Sequence, residues 1–279
     1  MRLLDGRAMA ADLADSLRGR AAELRQSGIV PTLAIVAVHD DGATASYVRM
    51  LERSGARVGI ECRTRWLPGT VDAAAIAGQL DELSADPAVH GIVLQTPLPG
   101  GMSPADVASH ICPEKDVDGI NPASAARLLL GQPGFVPATA RAIMEILRRA
   151  GVPLRGARAV VVGRSLVVGK PAALLLLQAD ATVTICHRHT RDVPSISREA
   201  DVLVVAVGRP RLVGADYVKR GAVVIDAGTN PTDTGLVGDV DLEAVAPLVE
   251  AITPVPGGVG PVTTMVLLQQ TLSAASPAS

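Results

Sequence analysis

The stretch VVVGRSLVVGKP, residues 160–171, joins an apolar run to a helix-forming one through a glycine turn. Upstream, ARAVVVG (157–163) has the length and β-branched content of a buried strand, and residues 170–178 downstream predict a helix. Gly163, Ser165 and Gly169 fall at the strand-to-helix turn of a β-α-β unit, where backbone N–H groups at a helix N-terminus receive a phosphate. Against the spacing G-x-G-x-x-G only the first glycine is in register, with Ser165 and Val168 at the other two positions. By itself the turn reads equally well as an ordinary tight one. The following strand, ATVTIC (181–186), ends at Cys186 and runs into His187, Arg188, His189, Thr190 and Arg191, with no carboxylate among them. An acidic residue there bonds the ribose 2′-hydroxyl of NAD, whereas a basic cluster accommodates the 2′-phosphate of NADP, so the pattern points to NADP. The competing reading is that these arginines are only solvated surface.

The same rhythm extends both ways. DVLVVAVG (201–208) and GAVVIDAG (221–228) follow; TLAIVAV (32–38), a helix-like stretch at 43–58, a basic strand at 61–67, a helix at 71–84 and GIVLQ (91–95) precede. Strands apolar on both faces imply parallel sheets covered by helices on each side, the α/β class. Pro and Gly clusters punctuate residues 113–151 around two helical stretches, SAARLLL and ATARAIMEILRRA, and the crossover between two domains is placed there, at 120/121. The closing segment reads as a Gly/Pro loop, Pro261 at a first helical position, and an apolar helix over 261–275. The final SAASPAS is expected to fray.

Composition excludes several functions. With 26 basic and 28 acidic residues the formal charge is −2, so no long-range field draws in nucleic acid or an anionic membrane. One Trp, two Tyr and one Phe are too few for a base-stacking platform. Cys62, Cys112 and Cys186 form no CxxC pair, and neither a disulfide framework nor a metal site is expected. No apolar run approaches the ~18 residues of a membrane span. A reducing cytoplasm fits.

Six strings together resemble one family: SYVRMLERSGARVGI (46–60), GIVLQTPLP (91–99), PEKDVDGINP (113–122), VVVGRSLVVGKP (160–171), TVTICHRHT (182–190) and ITPVPGGVGPVTTMVLL (252–268). In order and spacing they are similar to the methylenetetrahydrofolate dehydrogenase/methenyltetrahydrofolate cyclohydrolase family. The resemblance implies an N-terminal folate and catalytic α/β domain over 1–120, onto which the helix at 261–275 packs back. It also implies a Rossmann-type NADP domain over 121–260, a folate cleft between the two, and a homodimer. Its active site pairs a tyrosine with a lysine one helical turn on, a glutamine from QxPLP and an aspartate from KDVDG. Carried over, these are Tyr47, position 51, Gln95 and Asp118. Gly163, Arg164, Ser165, Gly169, His187, Arg188 and Thr229 are the implied cofactor residues. Pro256, Gly257, Gly258 and Thr263 join Tyr47, Gln95 and Asp118 against the substrate.

Position 51 departs from the pattern: where the family's YxxxK places lysine, this chain has Leu51. Residues 47 and 51 are i and i+4 and share one helix face, so an isobutyl group stands where an ammonium meets the substrate. Arg49 and Arg53 point about 160° away on a helical wheel. Lys115, the lysine near a substrate motif, sits at a position usual for the family. Thr96 inside the QxPLP string and PATARA (137–142) in place of P-C-T-P-R-G are lesser departures. The expectation is an NADP-dependent methylenetetrahydrofolate dehydrogenase with its cyclohydrolase activity weakened. The alternatives are a bifunctional enzyme using another group on water, and a paralogue with an altered substrate or no turnover.

Overall fold

The computed structural model describes residues 1–38, 42–233 and 235–276, apart from the side chain of residue 43. In chain order the elements are β1 (Arg2–Leu3), α1 (Gly6–Gln26), β2 (Thr32–Val38), α2 (Gly42–Val58), β3 (Glu61–Leu67), α3 (Ala73–Ala85), β4 (Gly91–Leu94), α4 (Pro122–Leu129) and α5 (Ala138–Arg149). There follow β5 (Arg158–Val162), α6 (Gly169–Gln178), β6 (Thr182–Cys186), α7 (Val193–Ser197), β7 (Val202–Val205) and β8 (Val223–Asp226). Last come β9 (Asn230–Thr232), β10 (Gly235–Val237), α8 (Leu242–Val245), β11 (Ala251–Ile252) and α9 (Val259–Ala275). The chain divides into two units, Ala11–Ala138 with the segment from Thr264, and Met1–Ala10 with Thr139–Thr263.

In the first unit β2 is the middle strand of a three-stranded parallel sheet ordered β3-β2-β4. All seven of its residues are buried, as an unbroken apolar run requires when both faces are covered. β3 is an edge strand, and its charged residues stay partly exposed. On α2 the buried positions Thr44, Ala45, Val48, Leu51, Gly55 and Val58 recur at helical spacing, so Leu51 belongs to the stripe that faces the core. Gly55 is required on that stripe, because a Cβ there would stand 2.5 Å from the sulfur of Cys62 on β3.

Residues 121–138 group with this unit, not with the dinucleotide-type unit as a boundary at 120/121 has it. The Gln270 amide on α9 donates to the carbonyls of Val117 (2.6 Å) and Val136 (3.0 Å), tying both ends of the segment to one helix. α9 starts at Val259, two residues before the expected 261, and continues through Ala275, past the point where fraying is expected. Residues 277–279 of that tail lie outside the described residues.

The second unit holds a six-stranded parallel sheet ordered β1-β11-β8-β7-β5-β6. β5 has β6 on one side and β7 on the other, so the strand order reverses at its carboxyl end, where ligands of open α/β sheets bind. The turn that decides the fold leaves the sheet there. β7 and β8 are wholly buried, whereas β6 lies at the edge and exposes Ile185. Cys186 is fully buried, as expected of strand packing. Among the described residues no helix is long and apolar enough to cross a membrane, and no group of three or more His, Cys, Asp or Glu is placed to hold a metal ion.

Candidate active site

Tyr47 and Asp118 are brought together in the first unit. Burial pushes the Tyr47 phenol up to about 12, and the charge of Asp118 adds to the shift. The group is therefore a neutral hydrogen-bonding phenol at any working pH, not a phenolate base. One turn further along α2, Leu51 is 0% exposed and ranks among the largest fully buried side chains. Arg49 and Arg53 are exposed, and the Arg49 guanidinium donates to the Ser46 hydroxyl at 3.2 Å. Neither arginine substitutes for an amine at position 51.

Asp118 sits in the KDVDG turn, and its neighbour Asp116 builds that turn. The Asp116 carboxylate, 0% exposed, accepts from the Ile120 N–H (3.0 Å) and the Asn121 N–H (2.8 Å), while the Gly119 N–H bonds the Asp116 carbonyl at 2.9 Å. Gly119 has φ +62°, and a Cβ there would lie 2.5 Å from the backbone of Val136 and Pro137, so only glycine closes this turn. Burial pushes the Asp118 carboxyl up to about 7, the Ala138 N–H at 3.4 Å opposes the shift, and the nearby Asp116 charge adds to it. The PATARA segment thus meets the site through Ala138.

Lys115 is fully committed elsewhere. Its ammonium donates to the carbonyls of Leu83 (3.4 Å), Ser84 (2.8 Å) and Asp86 (2.6 Å), closing the C-terminal end of α3. Lys115→Met is expected to lower stability by about 1–3 kcal/mol through the carbonyls it leaves without a charged donor. Denaturant unfolding measures this, with the oxidation rate of the folded variant unchanged.

Gln95 follows β4 directly and is half-buried, with its backbone N–H on the Val36 carbonyl at 2.8 Å. It stands at the carboxyl edge of the sheet, the position expected of a ligand-facing amide. Thr96 beside it is exposed. Among the described residues the Gln95 side chain makes no hydrogen bond.

The nucleotide turn lies in the second unit. Gly163 has φ +132°, and a Cβ there would come within 2.1 Å of the Ala206 carbonyl oxygen. A Cβ on Gly169 would come within 2.3 Å of the Gly163 carbonyl oxygen, which explains both glycines. The Ser165 hydroxyl accepts from the N–H groups of Val168 (3.2 Å) and Gly169 (3.3 Å), and its carbonyl from Lys170. The serine therefore caps α6, and the first-turn N–H groups that the sequence offered to a phosphate are already used. Arg164 through Val167 are exposed, and among the described residues their N–H groups make no hydrogen bond. They are the free donors of the turn.

The Gly163 N–H donates to the Cys186 carbonyl at 2.9 Å, which sets the end of β6 beside the turn. His187 is half-buried: its Nδ1 accepts the His189 N–H at 3.2 Å, and the Thr190 hydroxyl accepts the His187 N–H at 2.9 Å. Arg188 is exposed, with its Nε on His189. These residues fit a phosphorylated dinucleotide, since a tight glycine turn, free backbone donors and an exposed arginine adjoin and no carboxylate intervenes. Thr229 is exposed past the end of β8.

Gly257 and Gly258 are buried and packed by the protein itself. A Cβ on Gly258 would lie 2.5 Å from the Pro254 carbonyl oxygen, and one on Gly6 would lie 1.7 Å from the Gly258 carbonyl oxygen. Pro256 is exposed at the tip of the loop, and the Thr263 hydroxyl donates back to the Val259 carbonyl at 3.1 Å within α9.

Two family models match the chain: the catalytic domain of tetrahydrofolate dehydrogenase/cyclohydrolase over residues 4–118, and its NAD(P)-binding domain over 137–279. The chain belongs to the tetrahydrofolate dehydrogenase/cyclohydrolase family. A bifunctional protein FolD of Parafrankia sp. (strain EAN1pec) is 58% identical over 275 residues, 99% of each chain. The crystal structure of the bifunctional FolD dehydrogenase/cyclohydrolase from Campylobacter jejuni superposes with a TM-score of 0.96 at 38% identity, covering 99% of this chain and 98% of that one. The Trypanosoma brucei FolD, complexed with NADP cofactor and inhibitor, gives a TM-score of 0.93 at 38% identity, covering 98% and 96%.

For this member of the family, sequence reasoning missed three buried carboxylates that gather backbone N–H groups within their own unit. Asp116 was hidden beside Asp118 in one motif. Asp226 and Asp239 lay in strings, VVID and GDVD, whose chemistry shows only when their carboxylates are seen to be buried.

Proposed function

We propose that the chain oxidises 5,10-methylenetetrahydrofolate to 5,10-methenyltetrahydrofolate with NADP, and hydrolyses the methenyl product slowly or not at all. The observation that carries the reading is Leu51, buried without exposure one turn from Tyr47 on a family scaffold. Bound NADP supplies the hydride acceptor. Oxidation leaves a cation shared by two folate nitrogens, and this step asks for alignment and nearby negative charge, not for a base. Asp118 supplies the charge when ionised, Tyr47 a neutral phenol beside it, and Gln95 an amide at the sheet edge. Arg164, Arg188 and the free N–H groups of the turn hold the cofactor phosphates. Hydrolysis adds water to the cation, releases a proton and protonates a nitrogen as the ring opens. An isobutyl group at position 51 moves no proton.

A second reading has one observation behind it: Asp118, pushed up to about 7, is able to exchange a proton near neutrality and so to serve the water step in lysine's place. The test is a progress curve with methylenetetrahydrofolate and NADP⁺, following NADPH, methenyl and formyl products separately. NADPH with accumulating methenyl product supports the proposal, NADPH with prompt formyl product supports the second reading, and absence of NADPH rejects both. From the same resemblance we infer a homodimer and a cytoplasmic setting, which the free thiols of Cys62, Cys112 and Cys186 suit.

A further inference from the structure

Two buried carboxylates stand at the carboxyl edge of the six-stranded sheet. Asp239 is 0% exposed and Asp226 3%. Asp239 Oδ2 accepts the N–H groups of Val207 (2.6 Å) and Gly208 (2.9 Å), and its Oδ1 those of the Arg209 backbone (2.9 Å) and the Asn230 amide (2.9 Å). Asp226 Oδ1 accepts from Gly228 (2.8 Å) and Asp239 (3.1 Å), and its Oδ2 from Val240 (2.9 Å). The backbone N–H of Asp226 donates to the Thr253 hydroxyl at 2.8 Å. Glycine is obligatory around the pair: a Cβ on Gly238 would lie 1.9 Å from Asp226 Oδ2, and one on Gly228 2.3 Å from Asp239 Cγ.

The carboxylates tie the segments that leave the carboxyl ends of β7 and β8 to Asp239 and Val240, whereas the bond to Thr253 after β11 is made by the Asp226 backbone. The β7 segment begins at Ala206, whose carbonyl oxygen occupies the space a Gly163 Cβ would need, so it forms one wall of the nucleotide turn. The β8 segment carries Thr229. Packing alone does not call for charge here. Val160, Val162, Leu203, Val205, Val224 and Ile252 already form an apolar core beneath. Burial pushes the Asp226 carboxyl up to about 6 despite three backbone donors, and the neighbouring Asp239 adds to that, so the arrangement is held against an electrostatic cost.

We propose that Asp239 and Asp226 are positioning residues for the dinucleotide: through Val207–Arg209, Gly228 and Asn230 their carboxylates fix the loops that receive it, without touching it. This rests on the reading of the chain as an NADP-dependent dehydrogenase. Asp239→Asn puts an amide N–H among donors that need an acceptor, and the segment after Ala206 loses its anchor.

The test is calorimetric titration with NADP⁺, together with KM for each substrate, on the full-length wild type, Asp239→Asn and the milder Asn230→Ala. Asp239→Asn should weaken NADP⁺ binding about tenfold or more, and Asn230→Ala about two- to threefold, with KM for methylenetetrahydrofolate within about twofold of wild type. A purely structural role would instead lower apparent kcat and the titration stoichiometry in proportion to the fraction unfolded, with the NADP⁺ affinity and both KM values unchanged. Variants that bind NADP⁺ like the wild type overturn the positioning role while leaving the dehydrogenase reading intact. If Asp239→Asn does not fold, Asn230→Ala decides in the same way. A wild type that binds no NADP⁺ overturns both.

Discussion

Leu51→Lys is expected to raise hydrolysis of methenyltetrahydrofolate by about 10² to 10⁴-fold, the range that a positioned proton carrier contributes. The other residues carried over from the family are in the chain: the Asp118 charge acts on Tyr47, Gln95 directly follows β4, and Gly119 closes the turn that carries Asp118. The added side chain enters a fully buried position, so its ammonium is desolvated and its pKa falls unless a carboxylate offsets this. Asp118, which already acts on Tyr47 one turn away, is the carboxylate available. The longer side chain strains the packing of α2 and should cost roughly 1–3 kcal/mol of stability. Leu51→Met fills the same space without an amine and should give no hydrolysis. Equal rates for the lysine and methionine variants, both folded, would sink the idea that this side chain is the missing part.

Asp118→Asn is expected to slow oxidation by about 10²-fold or more, because the site loses the charge that faces the developing cation in a desolvated setting. The wild type carries a matching pH signature. With Asp118 pushed up to about 7, its carboxylate forms only as pH rises through neutrality, so kcat/KM for oxidation should climb between pH 6 and 8, where an ordinary aspartate is already ionised. Folded-state pKa above unfolded pKa also sets the sign for stability. Below pH 4 the group is protonated in both states and contributes no difference. From pH 4 to about 7 the unfolded chain releases a proton that the folded chain retains, so stability falls across that window. Asp118→Asn should remove this fall while flattening the rate profile. A variant with wild-type rate and an unchanged profile would take the cation-stabilising role from Asp118. In Leu51→Lys the rise in oxidation should move to lower pH, since the ammonium favours the carboxylate.

Much of the fold was legible because its strands are unbroken apolar runs between Gly and Pro punctuation. TLAIVAV, ARAVVVG and GAVVIDAG each appear as buried parallel strands within two residues of the expected ends. What escaped was either nonlocal or too short to show a period. β1 and β11 are two residues each, and Arg2 pairs with Ala251 across nearly the whole sequence. The β9–β10 hairpin and α7 are similarly brief. α1 has only a thin apolar stripe in a polar helix, and nothing in MRLLDGRAMAADL announces it.

The site was legible through its motif residues and illegible through their supports. The family resemblance singled out Tyr47, Leu51 and Asp118, the first two at i and i+4 on one helix and the third in one turn. That Lys115 closes α3, that Ser165 caps α6, and that Asp116 and Asp239 each gather backbone N–H groups are facts of tertiary geometry. A side chain whose partners lie some thirty residues away, as Val207 does from Asp239, leaves no local trace. Ser165 shows the hazard in a motif reading, for the serine carries the loop's shape before it carries any ligand.

Supplying 5,10-methenyltetrahydrofolate directly to the purified protein and recording its disappearance against the spontaneous rate isolates the hydrolytic step, free of cofactor binding and hydride transfer. With Leu51 in place, the expected rate is close to the uncatalysed one, from a preparation that reduces NADP⁺ with methylenetetrahydrofolate. Acceleration of about 10²-fold or more over the spontaneous reaction would contradict it, and would mean that another group in this site activates water.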